Sequence, residues 1–343
     1  MLDRDAPVDG VTNALVGGSS ADAIAFAAAA ADLGYGSFWT PEVTGAEAFS
    51  TLTAVGSAVD DVALGTGVVP MQTRSPVLAA MGAVSLQSLW PERRVVLGVG
   101  VSSPMVVSRW HGLKDDASPI DRAREYLTVL RQALSGGPVS HDGPVYNVTK
   151  ARLSGVGAER TPAMALGAMN PMMLGLAGEL ADAAILNYVS ADAVPELTAM
   201  VRAGEERAGR PAGSCAVSCF VHVGVGDAEA ARTANRRDLF GYSMAPGYRR
   251  SFRRHGFGDE MDRLEAALAA SDREASVAAI SDEMIDAINP VGTAAEVTAA
   301  VEAYRAGGLD EVIITPLPWA QPDPATAVAD TLAACAPAGR VGR

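Results

Sequence analysis

The feature that most limits how this chain can fold is a sustained alternation of short β-branched runs with alanine-rich stretches at helical spacing. The runs are Val11–Val16, Ser37–Thr40, Val62–Val69, Arg94–Val101, Ala163–Gly167, Ala183–Val189, Ala216–Val225 and Glu311–Thr315. Several are apolar at consecutive positions, as strands covered on both faces must be. Strands alternating with helices read as parallel βα units. Eight such units in 343 residues fit a (β/α)8 TIM barrel better than an open doubly wound sheet.

The helices carry their own punctuation. Ser118-Pro119 places a cap and a first-turn proline before Ile120, Ala123, Leu127, Leu130 and Leu134, and Gly136-Gly137-Pro138 ends that stripe. Thr293 with Glu296 forms a capping-box pattern ahead of Val297, Val301 and Tyr304. Val77, Met81 and Val84 are expected to mark the inner face of another helix. Two segments exceed a minimal βα unit. Residues 102–118 are a long excursion after the fourth run, and residues 226–289 are a larger helical insertion before the eighth. Loops that follow barrel strands line the catalytic mouth, so the whole chain, 1–343, reads as one barrel domain whose 226–289 insertion covers that mouth.

Composition narrows the function. Twenty-seven Lys and Arg stand against 40 Asp and Glu, a formal charge of −13 that repels nucleic acid and anionic membrane surfaces. Aromatic residues, at 5%, are too few for base-stacking platforms. The start resembles no secretory signal, and the longest apolar run, Ala23 to Ala31, is too short to span a bilayer. Cys215, Cys219 and Cys335 have no zinc-type partners and read as small buried residues of a cytoplasmic protein. No metal site is expected.

Candidate chemistry gathers at the ends of the runs. Leu97 to Ser103 closes a strand with two glycines and paired serines, Ser102 and Ser103, a poor dinucleotide fingerprint but a suitable barrel-mouth contact. Gly167-Ala168-Met169-Asn170-Pro171 runs from a strand into a helix. It is either an ordinary capped helix or an anion site made of free amides backed by the helix dipole. Gly65-Thr66-Gly67-Val68 lets backbone approach a planar ligand. Glu42 serves either acid–base chemistry or the anchoring of an arginine or backbone group. His111 is the best-placed histidine; His222 reads as packed, and His141 and His255 as solvent-facing. Arg249, Arg250, Arg253 and Arg254 recur at helical spacing, a solvated face or a rim for an anionic ligand tail.

Together these stretches resemble the bacterial luciferase-like superfamily. Leu33 to Glu42, Leu64 to Val68 with Arg74-Ser75-Pro76, Arg93 to Ser103, Trp110-His111-Gly112 and Gly167 to Asp182 follow that family's order and spacing. Val291 to Pro316 resembles its last helix and strand. The resemblance implies a flavin or the 5-deazaflavin coenzyme F420 at the mouth, with F420 favoured and FMN the alternative. By position, Thr66, Gly67 and Val68 would back the ring, with a non-proline cis peptide near Gly67-Val68. Ser102 and Ser103 would touch the ring or its polyol, and Gly167, Ala168, Met169 and Asn170 would hold the phosphate. Trp39, Met71 and Trp110 would wall a substrate pocket.

The resemblance further implies an oxidoreductase moving a hydride between the deazaflavin C5 and a small organic substrate. A homodimer and a flavin or F420 reductase as redox partner are expected with it. An FMN monooxygenase and a non-catalytic flavin-binding paralogue are the alternatives. The chain also departs from the pattern: no histidine follows Thr40-Pro41-Glu42, and no acid follows Val101. Glu42 and His111 therefore stand in, by position, as catalytic candidates.

Overall fold

Strand pairing closes the eight runs into a cylinder. The computed structural model describes residues 9–114, 116–154 and 160–337. Strands β1 (Gly10–Thr12), β2 (Ser37–Thr40), β3 (Ala63–Thr66), β4 (Val95–Gly100), β5 (Ala163–Gly167), β6 (Ala183–Asn187), β7 (Ala216–Val225) and β8 (Glu311–Pro316) each pair in parallel with the next, and β8 returns to β1. Around them lie α1 (Ser20–Asp32), α2 (Ala48–Ala58), α3 (Pro76–Leu89), α4 (Pro119–Leu134), α5 (Pro171–Leu180) and α6 (Val194–Arg207). The insertion contributes α7 (Ala228–Ser243), α8 (Pro246–Arg254), α9 (Gly258–Ala269), α10 (Arg273–Ala278) and α11 (Asp282–Ile288), and α12 (Ala294–Ala306) and α13 (Pro324–Ala334) complete the ring.

Some boundaries differ from the sequence expectation for local reasons. The first strand stops at Thr12 because the Asn13 carbonyl accepts hydrogen bonds from Val16 and Gly17, which turns the chain. The third is interrupted after Thr66 by a cis peptide between Gly67 and Val68, the bond the family resemblance implies, and resumes at Val69–Pro70 beside β4. An antiparallel hairpin, Val139–Asp142 with Asn147–Ala151, follows α4, where no strand was expected. Met81 is exposed, and the inner face of α3 is made by Ala79, Ala80, Ala83, Val84 and Gln87.

Alternation along each strand divides the core into two layers. Outward-facing residues such as Val11, Leu64, Leu97, Leu166, Val221 and Ile314 pack under the helices. Inward-facing Trp39, Val96, Ala165, Ile185, Phe220 and Ile313 fill the barrel. Trp39 has room because its neighbours are small; a Cβ on Gly65 would overlap the indole.

The lower end of the barrel, where the strands begin, is closed by a polar cluster. Glu311 accepts hydrogen bonds from Ser37 Oγ at 2.6 Å, Ser218 Oγ at 3.2 Å and Trp39 Nε1 at 3.3 Å, and pairs with Arg94 at 3.0 Å. A buried carboxylate held by four donors is a stable plug.

The helical insertion has a small core of its own, in which Leu239, Phe252, Met261, Leu264, Met284 and Ile285 pack on Tyr188 at the end of β6. No helix among the described residues is long and apolar enough to cross a membrane.

Candidate functional site

At the upper end, β4 and β5 finish on Gly100 and Gly167, which face Val68, and Gly67 follows the last residue of β3. Thr66 Oγ1 donates to the Gly98 carbonyl at 2.7 Å, and Gly67 N donates to the Thr40 carbonyl at 2.8 Å, so neighbouring strands hold the loop. A Cβ on Gly100 would come within 2.8 Å of Val68 Cγ2; one on Gly167 would meet Val68 Cγ1 at 3.6 Å. The missing side chains leave a shelf of backbone with a half-buried valine at its centre. A flat, mostly apolar ring can approach such a surface closely.

Ser102 and Ser103 border the shelf. The Ser102 amide donates to Gln72 Oε1 at 3.2 Å, and Ser103 Oγ receives the Val106 amide at 3.4 Å, starting a π-helical turn from Met105 to Trp110. Asn170 caps α5 by accepting from the Met173 amide at 3.1 Å, with Pro171 in the first turn. The expected anion loop needs one correction. Ala168 is buried and its amide donates to the Ile185 carbonyl at 3.0 Å, so strand pairing has already taken that donor. Gly167, Met169 and Asn170 remain partly exposed at the helix start.

The opposite wall, formed by β6, β7 and β8, is polar. Asn187 and Thr315 occupy the uppermost inward positions of β6 and β8, and His222, one inward step below Gly224 on β7, is the register partner of Thr315. His222 Nε2 lies 2.7 Å from Asn187 Oδ1, and Asn187 Nδ2 donates to Tyr248 Oη at 2.9 Å. The His222 ring stacks on Tyr188, with centroids 3.8 Å apart. Tyr188 Oη donates to both oxygens of Asp238, at 2.9 and 3.1 Å, and Asn289 Nδ2 donates to the same carboxylate. Burial raises the Asp238 pKa to about 6, while the Asn289 and Tyr188 donors pull it down. Burial lowers that of His222 to about 3, so its ring is neutral at physiological pH. Among the described residues, four buried polar atoms along this wall and the adjoining end of β1 have no protein partner: His222 Nδ1, Thr315 Oγ1, Asn289 Oδ1 and Asn13 Oδ1. Unsatisfied groups gathered at a barrel mouth point to a ligand.

The sequence passed over this wall. Its one available signal was phase: His222 follows Ala216, Ser218 and Phe220 in steps of two, and Thr315 follows Glu311 and Ile313, which puts both inside the barrel. Asp238, Tyr242, Tyr248 and Asn289 come from the insertion, and no local pattern ties them to β6.

The remaining candidates fall elsewhere. Glu42 is an anchor: Arg74 holds its two oxygens at 2.8 and 2.9 Å, and the Ala48 amide at the start of α2 donates to one of them. Arg74 also pairs with Glu47. His111 is exposed, with Nε2 3.1 Å from the Val43 carbonyl. Trp39 and Met71 are each 1% exposed in packed cores and present no surface to a pocket, while Trp110 is 53% exposed.

The two histidines expected in solvent are half-buried. His141 pairs with Glu125, and His255 has its Nε2 enclosed. Arg249 and Arg253 do not form a free rim, because both pair with Glu265 on α9, and Arg253 pairs with Asp262 as well. Arg250 and Arg254 are exposed. All three cysteines are buried thiols, and among the described residues no group of metal-ligating side chains gathers.

Comparison with known proteins agrees with this architecture. Residues 6–311 match the luciferase-like monooxygenase family. A Mycobacterium tuberculosis protein that carries the name of a coenzyme F420-dependent oxidoreductase is 28% identical over 84% of this chain and 88% of its own. The 5,10-methylenetetrahydromethanopterin reductase of Archaeoglobus fulgidus is 25% identical over 83% of this chain and 86% of its own. Among solved structures, the coenzyme F420-dependent tetrahydromethanopterin reductase of Methanopyrus kandleri superposes with a TM-score of 0.78 at 20% identity, covering 96% of this chain and 97% of that one. With a closed parallel barrel, a glycine shelf and a family match across nearly its whole length, this chain belongs to the luciferase-like monooxygenase family of oxidoreductases.

Proposed function

We propose that this protein is a coenzyme F420-dependent oxidoreductase that exchanges a hydride between the deazaflavin and a small organic substrate. The observation that carries the reading is the division of the mouth: a glycine shelf around Val68 on one side and a wall of unpartnered polar atoms on the other. The names of the two curated relatives, one for F420 dependence and one for methylenetetrahydromethanopterin reduction, support the choice of cofactor and of a reduction-type reaction.

The residues present fit such a group. Gly67, Val68, Gly100 and Gly167 would lie against the ring system, Ser102 and Ser103 against its polyol, and Met169 and Asn170 near the phosphate at the start of α5. When bound, the deazaflavin supplies two-electron hydride chemistry at C5 without the oxygen reactivity of FMN. The protein's part is to orient the ring on the shelf, exclude water beneath the insertion and hold the substrate against the polar wall. Glu42, fixed by Arg74, positions the β2 end and is not the proton donor.

Absorbance titration with F420 and with FMN tests this reading. F420 should bind in the micromolar range or tighter, and Gly167→Leu should weaken it by about 100-fold, equivalent to roughly 2.7 kcal/mol. The same variant should keep its unfolding midpoint to within about 1 kcal/mol, because a Cβ on Gly167 meets Val68 and the Val99 carbonyl only at ordinary contact distances of 3.6–3.7 Å. Binding of reduced FMN with oxygen uptake, and none of F420, would replace the proposal with a flavin monooxygenase.

A further inference from the structure

We infer that Asp238 is a release element: its carboxylate, set among tyrosines with no cation beside it, keeps the helical insertion poised to lift from the upper ends of β6 and β7. The inference does not depend on which cofactor the mouth takes.

The insertion meets the barrel through few groups. Among the described residues, Tyr188 is the only barrel residue in the insertion's buried core. It follows β6 with a φ of 51°, a left-handed backbone that a bulky residue adopts only where its surroundings impose it. The surroundings are aromatic: the Tyr188 ring lies against His222 and Tyr242, with centroids 3.8 and 3.9 Å away. Its hydroxyl donates to Asp238 on α7, Asn289 Nδ2 donates to the same carboxylate, and Asn187 Nδ2 donates to Tyr248 on α8. Lifting the insertion would let the Tyr188 backbone relax.

The charge of Asp238 works in the same direction. Tyr188 approaches it from β6, Tyr242 from its own helix and Tyr248 from α8. His222 on β7, stacked on Tyr188, is neutral. Nearby cations are engaged elsewhere: Arg232 and Arg236 of α7 by Asp282 and Asp286 of α11, and Arg249 of α8 by Glu265. Arg273 and Glu274 of α10, which also packs on α7, are exposed. A carboxylate enclosed with hydroxyl and amide donors but no counter-charge is costly to keep ionised. Burial accordingly raises its pKa from 3.8 to about 6, so near neutral pH Asp238 is charged and weakens the docking. Protonation removes that cost without losing a partner. Turned over, the Asn289 amide presents its oxygen, buried and unpartnered as it stands, to the new hydroxyl. Because the docked pKa is the raised one, attachment from this group is full below pH 3.8 and is lost as the pH rises through 6. His222, lowered to about 3, titrates in the opposite sense and cancels between chains that both carry it.

Hydrogen exchange of the whole chain, read by mass spectrometry, measures how often the insertion opens. At pH 7.5, Asp238→Asn should slow exchange of the α7 and α8 amides by roughly 100-fold relative to wild type and leave β2, β3 and β4 unchanged. At pH 5 that gap should narrow by about 10-fold, because the wild-type carboxyl then carries the proton. Tyr188→Phe, which takes a donor from the ionised carboxylate, should speed exchange in the same helices at pH 7.5. Exchange in Asp238→Asn as fast as in wild type or faster at pH 7.5, a gap that ignores pH, or no change in Tyr188→Phe would overturn the inference and leave Asp238 an ordinary docking contact.

Discussion

The two ends of the barrel are both polar, yet they are built on opposite principles. At the lower end no buried side-chain atom of the Glu311 cluster lacks a protein partner: Ser37, Ser218, Trp39 and Arg94 converge on one carboxylate. At the upper end His222, Thr315 and Asn13 each retain a buried atom with none. The lower end also packs a tryptophan where the upper end places glycines. A closed network lowers the free energy of the fold itself; an incomplete one holds its interactions in reserve for a molecule that is not part of the chain. Barrel enzymes segregate stability and function between their two faces, and here partner counting alone tells them apart.

The largest expected effect breaks the lower end. Glu311→Leu leaves Arg94 beside buried hydroxyls with no counter-charge and should cost about 3–5 kcal/mol of unfolding free energy, measured by urea denaturation. Adding Arg94→Met should recover most of that loss. Cofactor affinity of the folded fraction should stay unchanged, and a matching loss of affinity would show that the two ends are coupled.

A second test turns on acid. The folded pKa of His222 is lowered to about 3 from an ordinary value of 6.5, so below pH 6.5 the unfolded chain takes up a proton that the folded chain refuses. Stability from this group is complete above 6.5 and is lost as the pH falls toward 3. Between pH 6.5 and pH 5 wild type should therefore lose roughly 2 kcal/mol relative to His222→Phe. Asp238, raised to about 6, acts in the opposite direction, gaining stability as the pH falls, and cancels in this difference because both chains carry it.

The smallest effect concerns Glu42. Glu42→Gln weakens a half-buried bidentate pair while Arg74 keeps Glu47, so about 1 kcal/mol of stability should go. Hydride transfer in a single turnover should persist, whereas its abolition would restore Glu42 as a catalytic group.

Much of the shelf was legible before any coordinates. Gly67, Val68, Gly100 and Gly167 stand at strand ends, where glycine leaves a recognisable mark and the family resemblance gave the order. In the loop before α5 the Asn170 cap was legible, but the pairing of the Ala168 amide with β6 was not, because it depends on strand register. Glu42 was legible as a carboxylate at the mouth with anchoring as one of its two readings, but its partner was not, because Arg74 lies 32 positions away and only folding sets the guanidinium beside it. The polar wall was the main omission: β7, β8 and a helical insertion from a third place in the chain build it.

Sequence by itself determined the barrel, because strand and helix periods and their punctuation are local and repeat eight times. It also determined which strand ends lack side chains. Only the tertiary structure decided which polar groups are satisfied. A hydrogen bond depends on two atoms meeting in space, and the pairs that matter here join residues tens to hundreds of positions apart.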